Sequence, residues 1–471
     1  MKQQKVSRRQ LLRLGAMSAV GLAAAAGCAA PPAQPAAKPA ESPSTASKPA
    51  EQPKPAEATK APEPTGAPAA GGAKNVQVYT MAWQPACVEA VKNSVDTFNK
   101  ANSSRITAEY VQGDWAKARD YLTTSMAGGV PPQIAHGITA WTNEYGEQGN
   151  YLDLTNLIES SDLKTDLDER ALNSAINPLS SKTYGMPFSW EVGVMYVNED
   201  RFKEAGIDVP TKGWKWEDFY SAAKKVTKDK EYYGLGVNLG GSQATEDIIA
   251  WIWQAGGDVM GNKSGKWEMD LAGADEALKL WHDMVKKDAI VSPDSFGAPN
   301  LFEAFPLGAF SIMQNGCWAR RIITEGKPKF TWRMVPLPYN KRHANSSEPQ
   351  TWSIPTEASK KGEADAAWEV LQWIANKENQ AAIAAGDWLF PTRKSALSDP
   401  RFNTTENDWN VAVGEIPYGI PYPKHPAWAE FDERVMAPAI QQYLQDEIGL
   451  EAALSTMKDE GTKLIAKYTK A

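Results

Sequence analysis

The chain carries 18 Trp against 12 Phe, the reverse of what core filling alone favours, and Trp190 is among those that stand directly beside a carboxylate. Trp190-Glu191 offers a flat apolar face next to an acceptor, the combination a pocket for a polar, ring-shaped ligand uses. Trp83 and Trp141 fall at or beside the ends of expected strands. Trp318 closes Asn315-Gly316-Cys317-Trp318, and Trp428 closes His425-Pro426-Ala427-Trp428. Trp352 and Trp388 lie at expected strand ends or crossings, and Glu246 precedes the helix expected from Trp251 to Asp258. Core packing is the competing reading for each Trp. Trp281, Trp368 and Trp373 have the helical spacing of core residues.

Other chemistries find little support. There is no Gly-x-Ser-x-Gly elbow and no His-Glu-x-x-His pair, and the 4 His (His136, His282, His343 and His425) show no ligand spacing. No metal or cofactor is expected. Gly256 to Ser264 faintly resembles a phosphate loop but reads better as a turn after a helix. The 57 Asp and Glu leave paired carboxylates open, so a polysaccharide-processing enzyme is the catalytic alternative.

The element that positions Trp190 and Glu191 is a buried strand expected from Phe188 to Val197, punctuated at its start by Gly185 and Pro187. Upstream, a strand from Asn75 to Ala82 is followed by a helix to about Lys100, with Val88, Val91, Val95 and Phe98 on one face. A strand near Arg105 to Val111, a helix from Trp115 to Met126 and a strand from Gln133 to His136 continue a β-α-β-α-β order. That order predicts parallel sheet flanked by helices, with ligands at the carboxyl ends of the strands.

The first 73 residues belong to targeting and tethering. Ser7 to Arg13 (Ser-Arg-Arg-Gln-Leu-Leu-Arg) resembles a twin-arginine export signal. The apolar run from Leu14 to Ala26 is shorter than the ~20 residues a membrane span needs. It ends in Ala25-Ala26-Gly27-Cys28, which resembles a lipobox whose cysteine is lipidated, so residues 1–27 are read as a signal peptide. Residues 29–73 hold 11 Pro and 15 Ala among 45, too little apolar surface to fold, and with Cys28 they form a lipidated, disordered, extended spacer over 28–73.

The remaining 398 residues, 471 minus 73, exceed one typical core and suit two lobes. Formal net charge is −7, and −12 once the five basic residues of the signal are removed, which argues against a nucleic-acid partner. With Cys28 used for the anchor, Cys87 and Cys317 remain, and both are expected as free thiols.

A series of segments in fixed order carries a family resemblance. They are Gly149 to Thr155, Tyr184 to Thr227 (with Asn198 to Ile207 and Trp216-Glu217-Asp218-Phe219), Trp253 to Asp258, Gly308 to Trp318, Pro336-Leu337-Pro338, Ala367 to Ile374 and Pro391 to Ala396. Together they resemble the extracellular solute-binding proteins of sugar-importing ABC transporters. The resemblance spans nearly all of residues 75–471. It implies an α/β, two-lobed periplasmic-binding-protein fold of the class II type, each lobe a mainly parallel sheet flanked by helices, with the ligand cleft between lobes. The lobes would be 74–188 with 350–393, and 192–338 with 394–471.

The resemblance also implies a function: a monomeric, non-enzymatic binding component, anchored outside the cytoplasmic membrane through Cys28. It would close on a mono- or oligosaccharide by hinge motion and pass it to membrane permease subunits. Glu191 would supply a carboxylate to sugar hydroxyls with Trp190 adjoining, Trp318 would stack on a sugar ring, and Trp428 would be a second stacking Trp. Trp141 would sit by a cleft loop, and Glu246 is a further contact. Trp83, Trp352 and Trp388 match no contact position of the family. A polyamine, peptide or glycerol phosphate stays open as the solute, since the charged residues placed near the cleft, Glu191, Asp387 and Arg393, do not decide between these classes.

Overall fold

The computed structural model describes residues 74–102, 104–228, 231–241, 243–296 and 301–469. The signal, Cys28 and spacer expectations lie outside these residues. Two sheets organise the chain. The first runs in the order Phe390–Pro391, Met186–Trp190, Pro349–Ser353, Ile134–Ile138, Lys74–Thr80, Ile106–Gln112. The second runs Trp332–Val335, Gly193–Asn198, Phe310–Gly316, Tyr233–Gly236.

The amino-terminal β-α-β-α-β order is present with its ends moved by two residues or fewer. Lys74–Thr80 buries Val76 and Val78 and pairs in parallel with both Ile106–Gln112 and Ile134–Ile138. Helix Pro85–Asn102 presses Cys87, Val91, Val95 and Phe98 against it. Asp114 caps helix Trp115–Ala127, its carboxylate accepting from the Ala116 N–H.

The sheets are mixed, which corrects the expectation of mainly parallel strands. Pro349–Ser353 runs antiparallel to both its neighbours, and Gly193–Asn198 runs antiparallel to both of its own. These strands follow crossings from the other sheet. A strand that enters this way needs no same-edge return through a helix, so nothing forces the parallel sense.

The single strand expected over Phe188 to Val197 is two strands. Met186–Trp190 belongs to the first sheet and Gly193–Asn198 to the second, so Glu191 and Val192 form the link between them. The link's carbonyls are satisfied from outside either ladder: Ser347 Oγ donates to the Glu191 carbonyl at 2.6 Å, and the Cys317 N–H to that of Val192 at 3.0 Å. The close packing that Gly185 permits is real. A Cβ there would lie 2.7 Å from both Ser353 Oγ and Thr142 Cγ2.

Each sheet has its own core. Phe98, Ile134, Phe188, Trp352 and Leu371 pack around the first, and Phe219, Trp251, Trp281, Ile312 and Trp428 around the second. A third cluster, with Trp190, Val192, Cys317, Phe390 and Trp409, lies where the chain crosses. Cys87 and Cys317 are buried with free thiols. Among the described residues no helix is long and apolar enough to cross a membrane.

Candidate functional site

The link at Glu191 sets the site. Because residues 190 and 193 are fixed in different sheets, the Glu191 side chain is held between them. It meets Glu246, from the first turn of helix Gln243–Ala255, and Trp318, just beyond strand Phe310–Gly316. The Trp318 indole N–H donates to the Glu191 carboxylate, and the Glu191 and Glu246 carboxyls are hydrogen-bonded to each other. Gly316 makes room for this meeting. Glu191, Glu246 and Gly316, with Asp247, Gln314, Asn315 and Ser346, border a cavity of about 10 Å³, room for about one water molecule; Trp318 stands behind Glu191 rather than on its wall.

Electrostatics follow from the enclosure. Burial pushes Glu191 well above the ordinary carboxyl range, and the Glu246 carboxyl beside it adds to the rise against the Trp318 hydrogen bond. Burial also raises Glu246 and, with the Glu246 charge, Asp247. Two carboxyls in hydrogen-bond contact cannot both be ionised at low cost, so the pair holds a shared proton. Asp247 is positioned by the Asn238 N–H at 2.9 Å. Its backbone carbonyl accepts from Gln314 Nε2 at 2.6 Å.

Glu348 was not anticipated. It accepts from Thr139 Oγ1 at 2.5 Å, the Ala140 N–H at 3.1 Å and the Tyr422 N–H at 2.9 Å. The carboxyl thus ties the start of helix Thr139–Glu147 to the carboxyl-terminal region, and burial raises it to about 7. Its sequence signal was faint: an acid in the polar run Ser346-Ser347-Glu348 just before a crossing strand. Asp247 and Asp432, the latter raised by burial to about 7, were also missed, although Asp247 adjoins Glu246.

The structure brings Glu191, Glu246, Trp318 and Trp83 to one place. Trp83 is 43% exposed and meets Trp318 edge to face at 5.7 Å, and Phe302 meets Trp318 from elsewhere at 5.5 Å. Trp141 is partly buried, 6.1 Å from Trp115, and does not border the cavity.

The other tryptophans pack. Trp190 is buried beneath the Arg170 guanidinium at 4.9 Å, in the cluster that lies where the chain crosses. Trp352 stacks on Phe188 at 4.8 Å within the first core. Trp428 is buried in the second core beside Phe431 and Tyr422. Trp388, at φ 55°, lies under Arg320 at 3.9 Å and against Trp409. Arg393 is engaged by Asp162, Asp166 and the Ala375 carbonyl, and Asp387 borders Cys87 rather than the cavity.

Two contacts bridge the sheets' surroundings near the cavity. Arg119 pairs with Glu144 at 2.7 Å and with Glu433 at 3.0 Å, and Lys424 Nζ donates to the Asn173 carbonyl at 3.2 Å. A larger hollow of about 500 Å³ lies elsewhere, between helices Ala274–His282 and Leu450–Thr469. It is an open groove lined by Leu271, Leu454 and the charged Asp275, Lys279, Glu451 and Lys458 among others, without the aromatic face that a sugar ring stacks on. Among the described residues no group of three or more His, Cys, Asp or Glu is arranged to hold a metal ion.

Comparison with known proteins agrees with this architecture. Residues 93–412 match the model of the family described as bacterial extracellular solute-binding protein. An uncharacterised lipoprotein from the oleD 5′ region of Streptomyces antibioticus is 28% identical over 386 residues, 79% of this chain and 83% of that one. Among solved structures, the ABC substrate-binding protein Lmo0181 of Listeria monocytogenes, in complex with cycloalternan, superposes with a TM-score of 0.73 at 21% identity, over 84% of this chain and 99% of that one. UgpB of Mycobacterium tuberculosis, in complex with glycerophosphocholine, gives 0.72 at 15% identity, over 84% and 99%. With two sheets joined by crossings, and a family match covering most of the folded region, the chain belongs to the bacterial extracellular solute-binding proteins.

Proposed function

We propose that this protein is the substrate-binding component of an ABC importer. It binds a mono- or oligosaccharide between its lobes and hands it to a membrane permease, tethered outside the membrane by a lipid on Cys28 after twin-arginine export. The observation that carries the carbohydrate reading is the meeting of Glu191, Glu246 and the Trp318 indole at the link between sheets. A pyranose has apolar C–H faces for an indole and a rim of hydroxyls for carboxylates. Trp83 supplies a second aromatic edge.

The mechanism follows from the crossings. The hinge would be formed by residues 191–192, 336–348 and 392–393, between the lobes 74–188 with 350–393 and 192–338 with 394–471. A cavity of about 10 Å³ is far below the ~300 Å³ lower bound of ordinary ligand pockets, so a sugar enters only if the lobes part. It then favours the closed state through contacts with both sides at once. Arg119, reaching Glu433 from helix Trp115–Ala127, holds closure from the rim.

Turnover fits the geometry poorly. Glycosidase carboxyl pairs stand about 5–5.5 Å apart or farther, whereas Glu191 and Glu246 are in hydrogen-bond contact. The acid-rich lining also gives weight to a second reading, a cationic non-sugar solute. Titrating intrinsic Trp fluorescence with saccharides, polyamines and glycerophosphodiesters separates the two. A saturable signal with a saccharide that Trp318→Ala weakens at least tenfold supports the carbohydrate reading; a signal confined to polyamines or phosphodiesters overturns it.

A further inference from the structure

Every charged group on the cavity wall is a carboxyl. Glu191, Glu246 and Asp247 bring three carboxyls to its wall, and no Lys, Arg or His lines it. Of the donors nearby, the Trp318 indole N–H goes to Glu191 and Gln314 Nε2 to the Asp247 carbonyl, and Asn315, whose Oδ1 accepts from the Gly316 N–H, adds an uncharged amide to the wall. Ser346 borders the same cavity at 6% exposure, and its hydroxyl has no hydrogen-bond partner. Behind Glu246, Asp432 Oδ1 is buried and likewise unpartnered. The cations of the surroundings are engaged elsewhere, Arg119 by Glu144 and Glu433 and Lys424 by the Asn173 carbonyl.

From this arrangement we propose that the solute is an aminated saccharide, whose protonated amine seats between Glu191 and Glu246 with Ser346 Oγ as a further acceptor, while its ring lies against Trp318. The inference rests on the carbohydrate reading above and names the substrate class of the same cavity. An ammonium offers several N–H donors and a full positive charge to a site that has acceptors and no cation. A neutral hydroxyl donates one hydrogen bond and leaves the two carboxyls facing each other. An N-acetyl group removes the charge, and a quaternary ammonium removes the donors. When the amine enters as R–NH3⁺, the proton shared by Glu191 and Glu246 has no place left and passes to solvent, so charge is conserved: one cation in, one proton out. Asp247, Asp432, Tyr422, Tyr196 and Cys317 are the other titratable groups facing the pair.

The test is calorimetric titration of the full chain at pH 7 in two buffers of different ionisation enthalpy. The probes are glucosamine, glucose and N-acetylglucosamine with their β-1,4-linked oligomers, and spermidine. The free-amine series is expected to bind at least tenfold more tightly than its neutral and acetylated counterparts, releasing about one proton per ligand. Glu246→Gln should erase both the preference and the release. If Glu246→Gln does not fold, as judged by its melting curve, Glu191→Gln takes its place. Neutral or acetylated saccharides binding as tightly as the free amines overturn the inference and leave the carbohydrate reading standing, as does a preference that survives the Gln substitution. Binding of spermidine alone overturns the saccharide in both statements, and a panel that gives no binding overturns both.

Discussion

Gly316→Ala perturbs the site at its narrowest point. A Cβ on residue 316 would lie 2.5 Å from Glu191 Oε2 and closer still to Trp318 Nε1, whereas ordinary contact begins at 3.4 Å. The carboxylate must therefore retreat by about 0.9 Å, 3.4 minus 2.5, and the indole by more. The hydrogen bond between them cannot survive both movements. Inserting a methyl into a filled site costs about 1–3 kcal/mol, and losing a hydrogen bond to a charged group about 1.5–3 kcal/mol. Relaxation will recover part of this. A net loss of about 2 kcal/mol in binding corresponds to roughly 30-fold in affinity. The variant is titrated with the saccharide that the parent binds, beside Gly414→Ala, where a Cβ meets nothing within 4 Å. Gly414→Ala should bind like the parent. If Gly316→Ala also binds like the parent while melting normally, Glu191 and Trp318 do not form the ligand contact and the site is misplaced.

Removing Glu348 tests a different joint. Glu348→Ala leaves the Thr139 hydroxyl and the Ala140 and Tyr422 N–H groups without their acceptor, and should cost about 2–4 kcal/mol in denaturant unfolding; a loss under 0.5 kcal/mol contradicts the assignment. Arg119→Ala should lower the melting temperature, because it leaves the largely buried Glu144 without its partner, and should increase the radius of gyration of the ligand-free protein in solution scattering, since it also frees Glu433 from helix Trp115–Ala127; an unchanged radius removes Arg119 from the closure mechanism. Stability should rise as pH falls from 8 to 5. Glu348, Asp387 and Asp432, raised by burial to about 7, are protonated in the folded state below that pH, while unfolded carboxyls wait until about 4. Each therefore contributes stability that grows between those values. His136 and His425, lowered by burial to about 3 and about 4, act oppositely below about pH 6.5, but they are fewer. A melting temperature that falls steadily from pH 8 to 5 contradicts this balance.

Much of the fold was legible because its signals are local. Val76, Val78 and the Val91, Val95, Phe98 face mark a strand and a helix by periodicity alone, and the acid beside the crossing strand was readable as Glu191. What escaped was set by partners distant in sequence. Nothing between Phe188 and Val197 marks a break at Glu191, because the break comes from Ser347 capturing the Glu191 carbonyl and Cys317 that of Val192. Trp190 and Glu191 are neighbours, and only Glu191 falls at a contact position of the family; the end of the strand at Trp190 leaves one in the core under Arg170 and puts the other in the link, on the cavity wall. Trp352 and Trp428 are as flat and apolar as Trp318, and only Phe188 and Phe431 packed against them reveal them as core. Glu246 was readable beside its helix, but its pairing with Glu191 across 55 positions, 246 minus 191, was not.

The central claim is that one ligand is held at the link between the two sheets. Its most direct test is the crystal structure of the protein soaked or grown with the saccharide that titrates. The account predicts electron density for the sugar against the Trp318 ring, within hydrogen-bond reach of Glu191 and Glu246, and touching residues of both lobes. Density confined to one lobe, or lying in the groove between helices Ala274–His282 and Leu450–Thr469, would contradict it.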